Sequence, residues 1–157
     1  PLMPGDRVIV EPLPQVKGYW GSSGRTFHMG PAPDEEIHKI QVLDRGRQVA
    51  AEMTKPGVRT GDMMDAINES LQEGGLICSL DQGGHGVGID GQEPPAIALG
   101  ETFEVQEDMV LAVECWFFET DENGHHRVYG GEDYVHVTSD GSDPLPTFPT
   151  DIMTLGK

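Results

Sequence analysis

Three side chains in this sequence have the types and positions needed to transfer protons or to bind a metal ion. His85 lies in a glycine-rich segment, Glu114 lies inside the apolar run 110–118, and Glu132 follows a pair of glycines. A carboxylate inside an apolar strand is costly to bury unless it is paired or metal-bound, although an outward-facing position would also explain it. Glu114 and Glu132 flank a turn signal at 121–124, so paired strands can place them opposite each other. One histidine and two carboxylates on one sheet face form a ligand set for a divalent metal.

The elements that must position these residues are predicted from hydrophobic periodicity. An acidic start at Asp34, followed by apolar residues at helical spacing, predicts a helix that ends before Lys55, and a second helix is predicted over about 61–73. The glycine-rich segment 82–91 is predicted to be a loop, and the tail from Ser142 is predicted to lack regular structure because it carries Pro144, Pro146 and Pro149. Strands are predicted over 7–11, 17–20, 25–28, 76–80, 109–119 and 127–138.

The order of these elements predicts the fold class. Strands come first, two helices follow, and further strands complete the chain, which is typical of an α+β fold with the helices on one face of an antiparallel sheet. A chain of 157 residues is long enough for one domain with its own core, so a single domain over 1–157 is expected.

The charge balance limits the classes of partner. The chain carries 27 acidic against 10 basic residues, for a formal net charge of −17. Such a field repels phosphate backbones, so we expect no nucleic-acid partner. Solubility alone would explain the acidity, but a cation or a cationic substrate would also suit it.

The two cysteines and the apolar runs indicate the compartment. Cys78 and Cys115 are too few for a disulfide framework, and we expect both to be reduced thiols, with Cys115 packed in the core rather than acting as a nucleophile. No apolar run reaches the length of a membrane span, and the first residues do not resemble a signal peptide. A cytoplasmic protein without a membrane partner is therefore expected.

Four blocks carry a resemblance to a known family. The sequence GHGVGIDGQEPP at 84–95 resembles the histidine motif of prolidases, aminopeptidase P and creatinases, which form the pita-bread family. Blocks at 4–27, 108–114 and 132–141 are similar to the family in order and spacing. The resemblance implies a pita-bread fold with a curved antiparallel sheet, of which this chain holds the second half of the catalytic domain, with the N-terminal half absent.

The resemblance also implies a ligand set that this chain alters. Peptidases of the family hold two metals with five side chains, and here Glu11 takes the place of the first Asp while Ser22 replaces the second, which bridges both metals. Gln92 stands where the family has a histidine that contacts substrate, and Cys115 replaces a proline. The remaining ligands leave open either one divalent metal (Mn, Zn, Fe or Co) or none; the residues concerned are Glu11, His85, Glu114 and Glu132.

The function implied by the resemblance is hydrolysis of a small amide, amidine or peptide-like substrate. His85, Glu114 and Glu132 are the expected catalytic residues, because histidine exchanges protons near neutral pH and creatinase performs its chemistry on this fold without a metal. A non-catalytic module that binds peptides or proteins, an Xaa-Pro dipeptidase or aminopeptidase, and a lyase remain alternatives. A homodimer, or a complementing subunit that supplies the missing half, is the expected assembly. Candidate substrate-binding residues are Tyr19, Trp20, Gln92 and Arg127.

Overall fold

The computed structural model describes residues 1–145, 148–149 and 151–156. The two helices are α1 (Asp34–Met53) and α2 (Thr60–Glu73). The strands are β1 (Arg7–Val10), β2 (Gln15–Val16), β3 (Tyr19–Trp20), β4 (Gly24–Met29), β5 (Gln82–Gly86), β6 (Glu93–Ala98), β7 (Val110–Thr120), β8 (His126–Val137), β9 (Ser142–Pro144) and β10 (Met153–Leu155).

Eight of these strands form one sheet in the order β1-β4-β8-β7-β5-β6, with β9 beside β8 and β10 beside β4. All pairs are antiparallel except β10 with β4. The strands β2 and β3 form a separate small hairpin. The α+β prediction with an antiparallel sheet is therefore confirmed.

The helices bury one face of the sheet. Ile40, Leu43 and Ala50 of α1 and Met63 and Ile67 of α2 pack into the main core, as the helical spacing predicts. Gly46 lets α1 approach closely, because a Cβ atom there would lie 3.1 Å from both the Cys115 sulfur and a Leu71 methyl carbon. Within the part of the chain that the structure describes, no helix is long and apolar enough to cross a membrane.

The strand β7 alternates between the two faces of the sheet. Leu111, Val113 and Cys115 point into the core under the helices, whereas Ala112 belongs to a small second cluster with Val87 and Tyr134 on the opposite face. Glu114 has the same parity as Ala112, so its carboxylate is directed away from the main core. This alternation explains how a carboxylate can lie within the apolar run: the strand is buried, but the Glu114 side chain points away from the main core.

Cys115 is a core thiol, as expected. Its side chain is fully buried, and burial raises the pKa of this thiol far above its ordinary value. Cys78 is half-buried, and burial also raises its pKa. A thiolate at either position is therefore disfavoured, which removes them as candidate nucleophiles.

Three sequence predictions about elements are wrong. Residues 76–80 form no strand, and the predicted loop at 82–91 contains β5. The tail contains two short strands, β9 and β10, of which β9 starts at Ser142 itself. The strand β9 pairs with the end of β8 across the turn at 138–141, and β10 pairs with β4, so these partner strands supply the regular structure that the prolines disfavour locally. Pro146 lies outside the described residues.

Candidate active site

Glu132 is the most deeply buried acidic side chain of the candidate site. It lies on β8 and is only 2% exposed. The Ser22 hydroxyl donates a hydrogen bond of 2.7 Å to Glu132 Oε2. Strand pairing positions it, because its backbone lies opposite Gly24 of β4 and Glu114 of β7. Ser22, which stands where the resembled family has a bridging aspartate, therefore donates its hydrogen bond to one of the candidate metal ligands.

The pKa of Glu132 is raised to about 8. Burial is the largest cause, and the neighbouring Glu11 and Glu114 add to it, whereas the hydrogen bond from Ser22 acts in the opposite direction. Of these two neighbours, Glu11 has the larger effect on the pKa of Glu132. A carboxyl group in this setting is mostly protonated at neutral pH and can act as a proton donor.

His85 faces Glu132 from the neighbouring part of the sheet. It lies on β5 opposite Ala112 of β7, which places it on the same face as Glu114. Its Nδ1 atom is 3.0 Å from the carbonyl oxygen of Gly86, and that oxygen only accepts, so Nδ1 carries the hydrogen. The Nε2 atom is left with a free lone pair, 3.9 Å from Glu132 Oε1. Proton exchange between these two groups through one intervening atom is therefore feasible.

Glu114 is held at the edge of this group. The indole nitrogen Nε1 of Trp116 donates a hydrogen bond of 2.7 Å to Glu114 Oε2. The two residues are two positions apart on β7 and so share a face. Because Trp116 occupies one carboxylate oxygen, Glu114 acts on its neighbours chiefly through its charge and its second oxygen.

Glycine at 84 allows β5 to lie where it does. Gly84 has a φ of 151°, and a Cβ atom there would clash with the carbonyl oxygen of Ala112. The strand that carries His85 can therefore approach β7 only with glycine at this position. The same glycine content lowers the β-propensity of 82–91, which is why the sequence pattern indicates a loop.

Two cavities flank the His85–Glu132 pair. The first, of about 410 Å³, is lined by His85 and Gln92 together with Pro94, Pro95 and Phe103. The structure thus places Gln92 beside His85, and its role in substrate binding stays a prediction.

The second cavity, of about 390 Å³, is lined by Tyr19, Trp20 and Ser22. Trp20 is half-buried, and its backbone nitrogen donates a hydrogen bond of 2.9 Å to the carbonyl of Gly88. Tyr19 and Trp20 therefore border the site on the Ser22 side, whereas Gln92 borders it on the His85 side.

Arg127 does not join this site. It is five positions from Glu132 on the same regular strand, so the two side chains point to opposite faces of the sheet. Arg127 instead contacts Asp121 at 2.8 Å and Glu36 of α1 at 3.7 Å, on the helix-covered face. The structure therefore does not bring Arg127 together with His85 and Glu132, and its predicted role in substrate binding stays a prediction.

The donor set does not fit a two-metal centre. Ser22 carries no charge. Its hydroxyl donates a hydrogen bond to Glu132 at the position where a two-metal centre needs a bridging carboxylate. Trp116 similarly occupies one oxygen of Glu114. Across residues 1–145, 148–149 and 151–156, no three His, Cys, Asp or Glu side chains converge as ligands. His85 and Glu132 supply donor types suited to one divalent ion, but as arranged they are two donors facing each other.

Sequence reasoning missed two hydroxyl groups at the site. Tyr134 is 4% exposed and Ser23 is 8% exposed, and neither hydroxyl has a hydrogen-bond partner among the described residues. A signal for Tyr134 was present, because it lies two positions beyond Glu132 on β8 and must share its face. Ser23 lies outside any strand, so no periodicity indicates where its side chain points.

The sequence profile of metallopeptidase family M24 matches residues 1–139. Among curated proteins, "Putative dipeptidase YkvY" of Bacillus subtilis is 30% identical over 98% of this chain and 42% of its own length. "Probable dipeptidase PepE" of Mycobacterium tuberculosis is 28% identical over 98% of this chain and 40% of its own length. The chain thus spans less than half the length of these relatives.

Solved structures of similar fold agree with this match. The dipeptidase PepE from Mycobacterium ulcerans superposes with a TM-score of 0.90 at 25% identity, covering 98% of this chain and 41% of that structure. The methionine aminopeptidase from Rickettsia prowazekii superposes with a TM-score of 0.80 at 23% identity, covering 92% of this chain and 65% of that structure. The second likeness concerns the fold alone.

Proposed function

The chain belongs to metallopeptidase family M24, and from that premise we propose that it carries the acid–base site of a hydrolase acting on a small amide, amidine or peptide-like substrate. The observation that supports this most directly is the approach of His85 Nε2 to Glu132 Oε1, at 3.9 Å on a sheet face flanked by two cavities.

The proposed chemistry divides the proton transfers between the two groups. Hydrolysis of an amide needs a base to take a proton from the attacking water and an acid to protonate the leaving nitrogen. The free lone pair of His85 Nε2 supplies the base, and the buried, protonated carboxyl group of Glu132 supplies the acid. Glu114 stabilises positive charge that develops on His85 or on the leaving group. Ser22 orients Glu132 through its hydrogen bond of 2.7 Å.

The substrate class follows from the charges around the pair. Glu11 and Glu114 both lie close enough to raise the pKa of Glu132, so an anionic group would be repelled at the same place. A neutral or cationic amide, amidine or short peptide is favoured. Gln92 offers a neutral donor and acceptor in the His85 cavity, which suits a neutral amide.

The cofactor of the proposed enzyme is one divalent metal or none. The uncharged Ser22, at the position of a bridging aspartate in the resembled peptidases, favours the metal-independent version. Metal analysis of the gently purified protein separates the two versions. The roles given to His85 and Glu132 above involve no metal-bound species.

A non-catalytic binding module is the second candidate. Ser22 and Gln92 support it, since both replace residue types with which the resembled peptidases position metal and substrate. The same replacements count against the Xaa-Pro dipeptidase alternative. A peptide or protein bound across the two cavities, without turnover, is the result that would favour this candidate.

The edge of the sheet supports an additional covering element. The strand β1 lies at the edge, and Ile9 and Val10 on it are 37% and 44% exposed. An exposed apolar edge strand is normally paired or covered. We therefore propose that a further half-domain, a complementing subunit or a second copy covers β1, which sedimentation analysis of the purified protein would detect if the cover is another chain.

The experiment that tests the proposed function is a turnover assay on a panel of primary amides, amidines and dipeptides. Wild-type protein is compared with the His85→Asn and Glu132→Gln variants, with folding of each variant checked by circular dichroism. Loss of turnover in both variants supports the acid–base assignment, and turnover that survives both substitutions contradicts it.

A further inference from the structure

The cavity beside Ser22 has apolar walls. Its volume is about 390 Å³, and it opens to solvent beside the β2–β3 hairpin. Besides two tyrosines, seven of its lining residues present an aliphatic side chain or a largely apolar ring. They are Pro12, Pro14, Trp20, Val87, Val110, Leu145 and Phe148.

Two buried hydroxyl groups that have no partner belong to residues that line the same cavity. Tyr134 and Ser23 line it, both are more than nine-tenths buried, and neither hydroxyl oxygen has a hydrogen-bond partner among the residues that the structure describes. Ser22 also lines the cavity, but its own hydrogen is given to Glu132. Buried polar groups in folded proteins are normally satisfied, so a pair left open in one cavity points to a ligand.

The chemistry of the cavity selects the kind of ligand. Each hydroxyl can donate a hydrogen, and an oxygen acceptor on the ligand would satisfy it. The nearby carboxylates of Glu11 and Glu114 disfavour a further carboxylate, and both also raise the pKa of Tyr134, for which burial is the larger cause. A neutral carbonyl oxygen is the acceptor that meets both conditions. The apolar walls suit a compact branched or cyclic hydrocarbon group attached to it.

We propose that this cavity is a substrate subsite for a compact apolar group bearing a neutral carbonyl, which the hydroxyl groups of Tyr134 and Ser23 recognise. The proposal rests on the proposed function, because it assigns the subsite to the substrate of the His85–Glu132 pair. It also narrows the substrate to neutral amides with a bulky apolar group on the carbonyl carbon.

The test measures equilibrium binding of pivalamide, a neutral amide with a compact branched group, by NMR titration of the protein. Tyr134→Phe keeps the ring and removes one donor, so the dissociation constant for pivalamide should rise roughly 2- to 10-fold, the worth of one hydrogen bond. The same variant should raise the melting temperature in the absence of pivalamide, because it removes an unsatisfied buried hydroxyl.

Tyr129→Phe is the matched control. Tyr129 is also a buried tyrosine of β8, but its hydroxyl donates to Glu119 Oε1 at 3.0 Å, on the other face of the sheet. This variant should lower the melting temperature and leave pivalamide binding unchanged. Pivalate, which has the same shape and a negative charge, should bind the wild-type protein more weakly than pivalamide.

Three results would overturn the subsite. They are no detectable pivalamide binding to the wild-type protein, equal affinity of wild type and Tyr134→Phe, and preference for pivalate over pivalamide. Because pivalamide belongs to the proposed substrate class, the titration is also run with the His85→Asn protein, in which hydrolysis should be absent, so its outcome is separate from that of the proposed function. His85→Asn should bind pivalamide as wild type does, whereas it should lose hydrolysis.

Discussion

Glu114 and Glu132 are direct cross-strand partners on β7 and β8, and both carboxyl groups lie on the sheet face opposite the helices. Like charges in this relationship destabilise a sheet. The chain relieves the conflict by burying Glu132 as a protonated acid bonded to Ser22 and by giving Glu114 the indole hydrogen of Trp116. A pair that could have served as metal ligands is thereby arranged as an acid and a charged neighbour.

The first prediction concerns stability and pH. The pKa of Glu132 is raised from 4.5 to about 8 in the folded chain, so between these values the folded state binds more protons than the unfolded state. Stability from this group is therefore fully present below about pH 4.5 and is lost as the pH rises toward 8, at up to about 1.4 kcal/mol per pH unit. Denaturation by urea at a series of pH values, with a chelator present, should show that Glu132→Gln removes this loss.

The control for this prediction is Glu69→Gln, which changes an exposed glutamate on α2. It should retain the wild-type dependence of the unfolding free energy on pH. A Glu132→Gln variant whose stability falls with pH as steeply as that of the wild type would show that Glu132 is ionised in the folded chain.

The second prediction concerns Ser22. Ser22→Asp places a second carboxylate against buried Glu132 and removes the hydroxyl donor, so it should lower the melting temperature without metal. With Mn²⁺ added, the variant should recover stability beyond any gain of the wild type, by about 2.7 kcal/mol when free metal reaches 100 times its dissociation constant. Thermal melts with and without Mn²⁺ measure both effects.

Ser23→Asp is the matched variant, because Ser23 is as buried as Ser22, at 8% exposure, but has no contact with Glu132 among the described hydrogen bonds. It should be destabilised without a recovery specific to Mn²⁺. An equal response to Mn²⁺ in Ser22→Asp and wild type would mean that position 22 does not control metal binding.

Much of the fold was predictable, because the long periodic elements follow local rules. The helix from Asp34 and the hairpin that pairs Glu114 with Glu132 appear where apolar spacing and the turn at 121–124 place them. The strand β5 was missed because its glycines are required by close packing against β7, and tertiary contacts of that kind leave no local β-propensity.

The site was only partly predictable from the sequence. Ser22, His85 and Glu132 come together as the resemblance implies. Strand periodicity places Trp116 beside Glu114 and Tyr134 beside Glu132, but the indole hydrogen bond and the unpartnered hydroxyl depend on side-chain conformation, which the sequence does not give. The separation of Arg127 from the site can be predicted from the sequence, since an odd separation between Arg127 and Glu132 along one strand puts their side chains on opposite faces.

The third prediction compares the two polar candidates for substrate binding. Gln92→Ala should raise the KM of any substrate that the protein turns over, because Gln92 lines the cavity of His85. Arg127→Ala should leave KM and kcat unchanged, and should lower the melting temperature by removing the contacts with Asp121 and Glu36. Steady-state kinetics of the two variants show which of the two residues contacts the substrate. A KM effect confined to Arg127→Ala would place the substrate on the other face of the sheet.

The most direct test of the His85–Glu132 assignment is kcat/KM of wild type and His85→Asn on the panel of amides, amidines and dipeptides, measured with and without a chelator. General acid–base catalysis contributes about 10²- to 10⁴-fold, so a folded His85→Asn protein should lose at least about 100-fold in kcat/KM, and the wild-type rate should survive chelation. Wild-type protein that turns over no member of the panel, or a His85→Asn variant with undiminished kcat/KM, would contradict the assignment.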